Sequence, residues 1–208
     1  MTASRRSLVV VSAGLGQPSS TRLLADRLIA AVERHLGDAG LEPRVEIIEL
    51  REHAKDLTNH LLTGFPSPKL QATIDAVLGA DGLIAVSPIF SATYSGLFKL
   101  FFDVVARDGL AGMPTLIAAT GGTVRHSLAL EHGFRPLFAY LNAATVATSV
   151  FAAAEDWGTA GVAADGSLVE RIDRAARELA AAISRREPRP ATDRFADPLP
   201  FEDLLRSQ

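Results

Sequence analysis

The chain contains no cysteine in 208 residues. That removes disulfides, thiolate metal centres, iron–sulfur clusters and a catalytic thiol together, so any redox chemistry has to come from a bound cofactor. Nor is there an excess of basic charge. Lys and Arg number 21 against 24 Asp and Glu, a net charge of −3, which offers no bulk attraction to nucleic acid or to an anionic membrane. Long apolar runs are missing as well. Arg5-Arg6 followed by Leu8 to Val11 imitates the start of a secretion signal, but the run stops at Ser12 and Gly14, short of the about 7–15 residues of an h-region. No stretch reaches the ~18 apolar residues of a transmembrane helix, and the expected location is the cytoplasm.

What is present is a globular balance, 48% hydrophobic and 22% charged, with apolar mass for one full core. Strand-like and helix-like segments alternate. Leu8 to Ala13 is a short apolar run of the kind buried on both faces of a sheet. Ser19-Ser20-Thr21 supplies helix N-cap candidates, and Leu24, Leu28, Val32 and Leu36 form one stripe at spacing four. Further strands are predicted at 45–50, 82–87, 114–120 and 145–151, with Pro88 ending the third. Helices are predicted at 68–78, 96–107, 127–141 and 166–186, with a shorter piece at 57–62. The segment 96–107 is apolar on nearly every side, which predicts contact with both the sheet and a partner subunit in a homodimer or homotetramer. Residues 1–186 therefore read as a single α/β domain with a five-stranded parallel sheet. Residues 187–208 form a Pro-rich tail whose Phe195, Leu199, Phe201, Leu204 and Leu205 are expected to dock.

In open parallel sheets, ligands bind beyond the carboxyl ends of the strands. Three loops occupy that position here. The first, 12–21, joins a buried strand to a helix N-terminus and is rich in hydroxyls at Ser12, Ser19, Ser20 and Thr21. Free backbone N–H groups and the helix dipole there suit a phosphate monoester; a single hydroxyl by itself reads as a helix cap. A dinucleotide turn is excluded because Ser19 stands where the third glycine belongs, and no acidic ribose ligand follows at the right distance, Glu49 being too far along. The second loop, Ser87 to Ser95, offers backbone donors after Pro88 and an apolar neighbour in Phe90. It fits the edge of a flat heterocycle and equally an ordinary strand end with Phe90 and Tyr94 in the core. The third, Thr120-Gly121-Gly122-Thr123, permits close approach of backbone to a ligand, or is a simple turn. Arg125 beyond it is a candidate for a nicotinamide cofactor's phosphate, while His126 reads as structural or as a surface residue.

Three stretches, SPIFSATYSGLFKLFFD (87–103), ATGGT (119–123) and RHSLALEHGFRPLFAYLNA (125–143), resemble the NAD(P)H-dependent FMN reductases. The resemblance is closest to the reductase components of two-component alkanesulfonate-type monooxygenases, and VFAAAEDWG (150–158) is similar to the subgroup that serves luciferase-like monooxygenases. It implies a flavodoxin-like three-layer sandwich that takes FMN and either NADPH or NADH, and it implies a flavin-dependent monooxygenase as a partner. By the same resemblance, Ser12, Ser19, Ser20 and Thr21 hold the FMN phosphate, Pro88, Ile89, Phe90 and Ser91 line the isoalloxazine and ribityl chain, and Thr120, Gly121, Gly122 and Thr123 contact the ring edge. Many relatives carry an Arg in the first loop where Leu15 or Gly16 stands here, with Arg22 as a substitute cation. The residue that forms a π-bulge in the alkanesulfonate-type reductases aligns with His132. Hydride passes to the flavin, so no side-chain acid or base is required and no catalytic residue is named. Two other readings share the scaffold: an FMN-bound quinone or azo-dye reductase, and a flavodoxin-like electron carrier without enzyme activity.

Overall fold

The computed structural model describes residues 4–157 and 166–187, so the tail predicted to dock lies, beyond Glu187, outside the described residues. In chain order come β1 (Ser4–Ser12), α1 (Ser20–Asp38), β2 (Leu41–Glu49), a 3-10 turn (Leu50–His53), α2 (Ala54–Thr63), α3 (Pro68–Leu78), β3 (Gly82–Phe90) and β4 (Thr93–Tyr94). There follow α4 (Gly96–Asp103), β5 (Pro114–Gly121), a π turn (Leu130–Phe134), α5 (Arg135–Tyr140), β6 (Ala144–Thr145), β7 (Val150–Ala153) and α6 (Leu168–Arg185). The sheet runs β2-β1-β3-β5-β6, with β7 also beside β5 and all of these strands parallel. The short β4 folds back antiparallel on β3.

Alternation along the strands divides the core in two. Leu8, Val10, Ile84, Val86 and Leu116 pack under α1 and α6. Val9, Val11, Leu83, Ala85 and Ile117 face the cluster built from α2 to α5. The predicted stripe Leu24, Leu28, Val32 and Leu36 is fully buried, and Ser19 starts α1 by accepting a hydrogen bond from the Arg22 N–H. Ser167 does the same for α6. This is the flavodoxin-like strand order, with one topological switch beside the first strand.

Several boundaries differ from the sequence reading. Pro88 does not end the third strand, because β3 continues to Phe90 and Pro88 pairs in register with Thr120. The proline is tolerated because β1 pairs with β3 only as far as Val86, so beyond that point β3 is an edge on that side. The fifth strand is broken into β6 and β7, and Arg135 clasps the gap by donating to the Val146 and Ala147 carbonyls and to the Thr145 hydroxyl. The helix predicted at 127–141 is α-helical only from Arg135 to Tyr140. A π turn precedes it with exposed His132 at its centre, as the aligned position implied.

The helix at 96–107 is shorter than predicted, ending at Asp103, and its three phenylalanines face inward. Phe98 and Phe101 are fully buried and Phe102 is 2% exposed. Phe98 lies 4.7 Å from Phe102 and 5.2 Å from Phe134 between ring centroids, and Phe102 lies 4.9 Å from Phe138. Such tilted and edge-on pairs add about 0.5–1.5 kcal/mol each beyond their area burial. The phenylalanines of α4 thus pack against α5 and the π turn of the same chain, while Leu97 and Leu100 stay half-buried. Among the described residues no helix is long and apolar enough to cross a membrane.

Candidate functional site

The order β1-β3-β5 places the three loops at neighbouring strand ends. Ser12 is in register with Val86, and Pro88 is in register with Thr120. The loop after β1 is therefore adjacent to the loop after β3, which is adjacent to the loop after β5.

In the first loop the hydroxyls are not equivalent. Ser12 is the last residue of β1 and fully buried, and its Oγ has no hydrogen-bond partner. A buried unpaired hydroxyl costs about 1–3 kcal/mol, a cost that a ligand oxygen would remove. Ser19 is the N-cap of α1, so its Oγ is an acceptor already in use. Ser20 is exposed in the first turn. Thr21 is buried and its Oγ1 lies 2.9 Å from that of Thr120. Thr21 and Thr120 therefore bind the first loop to the third. Gly14 makes the close turn possible, since a Cβ there would fall 2.2 Å from the Ser19 Oγ.

The second loop is a tight hairpin. Phe90 pairs with Thr93, and the two residues between them, Ser91 and Ala92, both have positive φ, 48° and 76°. Two left-handed residues make a type I′ turn, which normally takes Asn-Gly; alanine there costs about 1–2 kcal/mol. Backbone strain of this kind collects at ligand sites. Pro88 and Ile89 are half-buried, and Phe90 and Ser91 are exposed at the tip. Below them Ser87 Oγ accepts from the Ser95 N–H at 2.9 Å, which closes the base of the hairpin.

In the third loop Thr120 is buried, Gly121 and Thr123 are half-buried and Gly122 is exposed. A Cβ at Gly121 would fall 2.8 Å from the Phe151 ring, whereas one at Gly122 would meet nothing within 4 Å. The first glycine admits Phe151, and the second leaves backbone open on the ligand side. Thr123 caps the short turn that carries Arg125 and His126, both exposed.

Two residues of the site are absent from the sequence reading in this role. Arg51, in the 3-10 turn after β2, donates from Nη1 to the Gly16 carbonyl at 3.2 Å and meets the Gln17 side-chain amide oxygen at 2.9 Å. Glu49, the last residue of β2, is in register with Ser12. One Glu49 oxygen accepts from Arg22 Nη1 at 2.8 Å, and the other lies 3.8 Å from Arg51 Nε. Arg22 also pairs with Asp26 at 2.8 Å. Hydrogen bonds to Asp26 and then Glu49 raise Arg22 above its ordinary range. The signal for both residues was positional: β2 neighbours β1, so its end borders the first loop.

A buried unpaired hydroxyl, a strand-to-helix turn opened by glycine, a strained hairpin and a Gly-Gly loop converge at the switch point. Together they set three ligand-suited loops side by side at the strand ends of a flavodoxin-like α/β fold. The residues present fit FMN. The model of the NADPH-dependent FMN reductases matches residues 7–158. The FMN reductase (NADPH) of Pseudomonas aeruginosa is 39% identical over 150 residues, 72% of this chain and 78% of the relative. An oxidoreductase from Corynebacterium diphtheriae superposes with a TM-score of 0.84 at 44% identity, covering 89% of this chain and 100% of that one. The apo form of an NADH:FMN oxidoreductase, EMOB, gives 0.76 at 30% identity over 88% and 94%. The chain belongs to the NADPH-dependent FMN reductase family and is an oxidoreductase of FMN and a nicotinamide nucleotide.

Proposed function

We propose that this protein reduces FMN as a substrate and releases it to a flavin-dependent monooxygenase of the luciferase-like class. One observation carries the exchange of flavin: the phosphate cradle is lined by hydroxyls and amides, and the two guanidiniums beside it, Arg22 and Arg51, are both drawn to Glu49. Neutral donors hold a dianion less tightly than a free bidentate cation. The resemblance of residues 150–158 to reductases serving luciferase-like monooxygenases supports the acceptor.

Bound FMN supplies the hydride-accepting ring. The chain's own part is binding and orientation. Ser12 and Ser20 would donate to the phosphate, and the N-terminal turn of α1 would add backbone N–H groups. The hairpin 88–93 and the open backbone at Gly122 would hold the ring, and backbone N–H groups there would favour negative charge on it. The exposed face between Phe90 and Gly122 is left for the nicotinamide, with Arg125 at its margin.

Steady-state NAD(P)H oxidation with increasing free FMN tests this reading. A mostly colourless protein after dialysis and a hyperbolic rise with half-saturation nearer micromolar than nanomolar, a difference of about 4 kcal/mol, is the expected result. Stoichiometric FMN surviving extensive dialysis, with turnover that needs a quinone, overturns it.

A further inference from the structure

Glu49 is an unusual residue to find beside an anion site. Its side chain is 9% exposed and stands across from Ser12, the buried hydroxyl at the floor of the cradle. One of its oxygens has no hydrogen bond at all. A carboxylate so placed repels a phosphate unless it is compensated, and the compensation is visible: Arg22 reaches it from α1 and Arg51 from the turn after β2. Asp26 takes the remaining reach of Arg22. The two positive and two negative charges cancel. Arg51 is the informative member, because its guanidinium also touches the cradle's backbone at Gly16 and the Gln17 side chain. A cation that close to the loop would be expected to bind the ligand directly, yet its Nε side is turned to Glu49.

We infer that Glu49 sets the affinity for the flavin phosphate by keeping Arg51 and Arg22 in a charge-compensated cluster, so that the cradle meets its ligand without a free cation. Glu49 is a positioning residue: it acts through the two arginines. The inference rests on the reading that FMN must leave after reduction, since a reductase that gives up its flavin gains from a weakened hold on the phosphate. The effect belongs to the phosphate alone, which gives it a signature. Riboflavin carries the same ring without the dianion, so a change in Glu49 should move FMN and not riboflavin.

The test titrates FMN and riboflavin into the full-length protein and follows quenching of flavin fluorescence. Glu49→Gln is expected to tighten FMN about tenfold, equivalent to ~1.4 kcal/mol, with riboflavin unchanged. The gain should shrink at high salt. In the double variant Glu49→Gln/Arg51→Gln the ratio of the two affinities should return most of the way to that of the wild type. Should Glu49→Gln fold poorly by circular dichroism, Glu49→Asp keeps the charge but shortens the reach, and should shift the ratio the same way by less. An unchanged or lowered FMN-to-riboflavin affinity ratio in the folded variant overturns the inference. Because the ratio is read by binding and not by turnover, it is independent of the dialysis test. Flavin retained by the wild type would refute the substrate reading while leaving the role of Glu49 to this titration.

Discussion

The hydroxyls of Thr21 and Thr120 lie 2.9 Å apart in the core, although the residues are 99 positions apart in the chain. Thr21 belongs to the first turn of α1 and Thr120 to the end of β5, so this bond ties the loop after β1 to the Gly-Gly loop. Each hydroxyl can donate only once, so one proton is shared between them and the other is left for a neighbour or a ligand.

Replacing either threonine by valine keeps the shape and strands the surviving hydroxyl. Thr21→Val and Thr120→Val are each expected to lose about 1–3 kcal/mol. The double replacement should cost clearly less than the two singles added, because no polar atom is left unpaired. Urea denaturation of the four proteins measures the coupling. Strict additivity would show that the two side chains do not meet.

Phe98 packs against Tyr94, Phe102, Phe134 and Phe138 and is fully buried. Phe98→Ala should cost about 3–5 kcal/mol, and Phe98→Asp should prevent folding, since a charge would enter an aromatic cluster with no partner. Circular dichroism and sedimentation distinguish this from an interface role. A Phe98→Asp protein that stays folded while its assembly falls apart would put the ring on the surface.

Glu131 and Arg135 pair across one helical turn, and Ser149 also donates to the carboxylate. The Arg135 hydrogen bond, the largest influence, holds Glu131 below its ordinary value of 4.5. A carboxylate lowered in the folded chain stabilises fully above the unfolded value and loses that contribution as pH falls through the folded one. The side chain is 44% exposed, so screening limits the gain to about 0–1 kcal/mol. The stability difference between wild type and Glu131→Gln should be constant near neutrality and shrink below pH ~4.5. Parallel denaturation midpoints from pH 7 down to pH 3 would exclude the pair as a source of acid sensitivity.

Much of the architecture is local and therefore legible in the residue order. Apolar runs stopped by Gly14, and by Gly121 and Gly122, mark buried strands with open ends, and the stripe from Leu24 to Leu36 marks the helix laid over them. From those, the parallel sheet, the three loops and the hydroxyl-rich turn follow, because parallel strands force crossovers and put the loops on one edge. What tertiary structure alone decided depends on which strands become neighbours. Only when β2 lies beside β1 does Glu49 face Ser12 and bring Arg51 against Gly16. Only when β5 lies beside β3 does Thr120 come under Thr21. The inward turn of Phe98 required Phe134 and Phe138 from a distant segment, and Pro88 could stay in its strand because β1 had already ended. Ser91 and Ala92 carry no glycine to announce their left-handed turn, since the strain there is met by the strands that flank it. Side-chain periodicity records which face of an element is buried, but it holds no information about the element that will bury it.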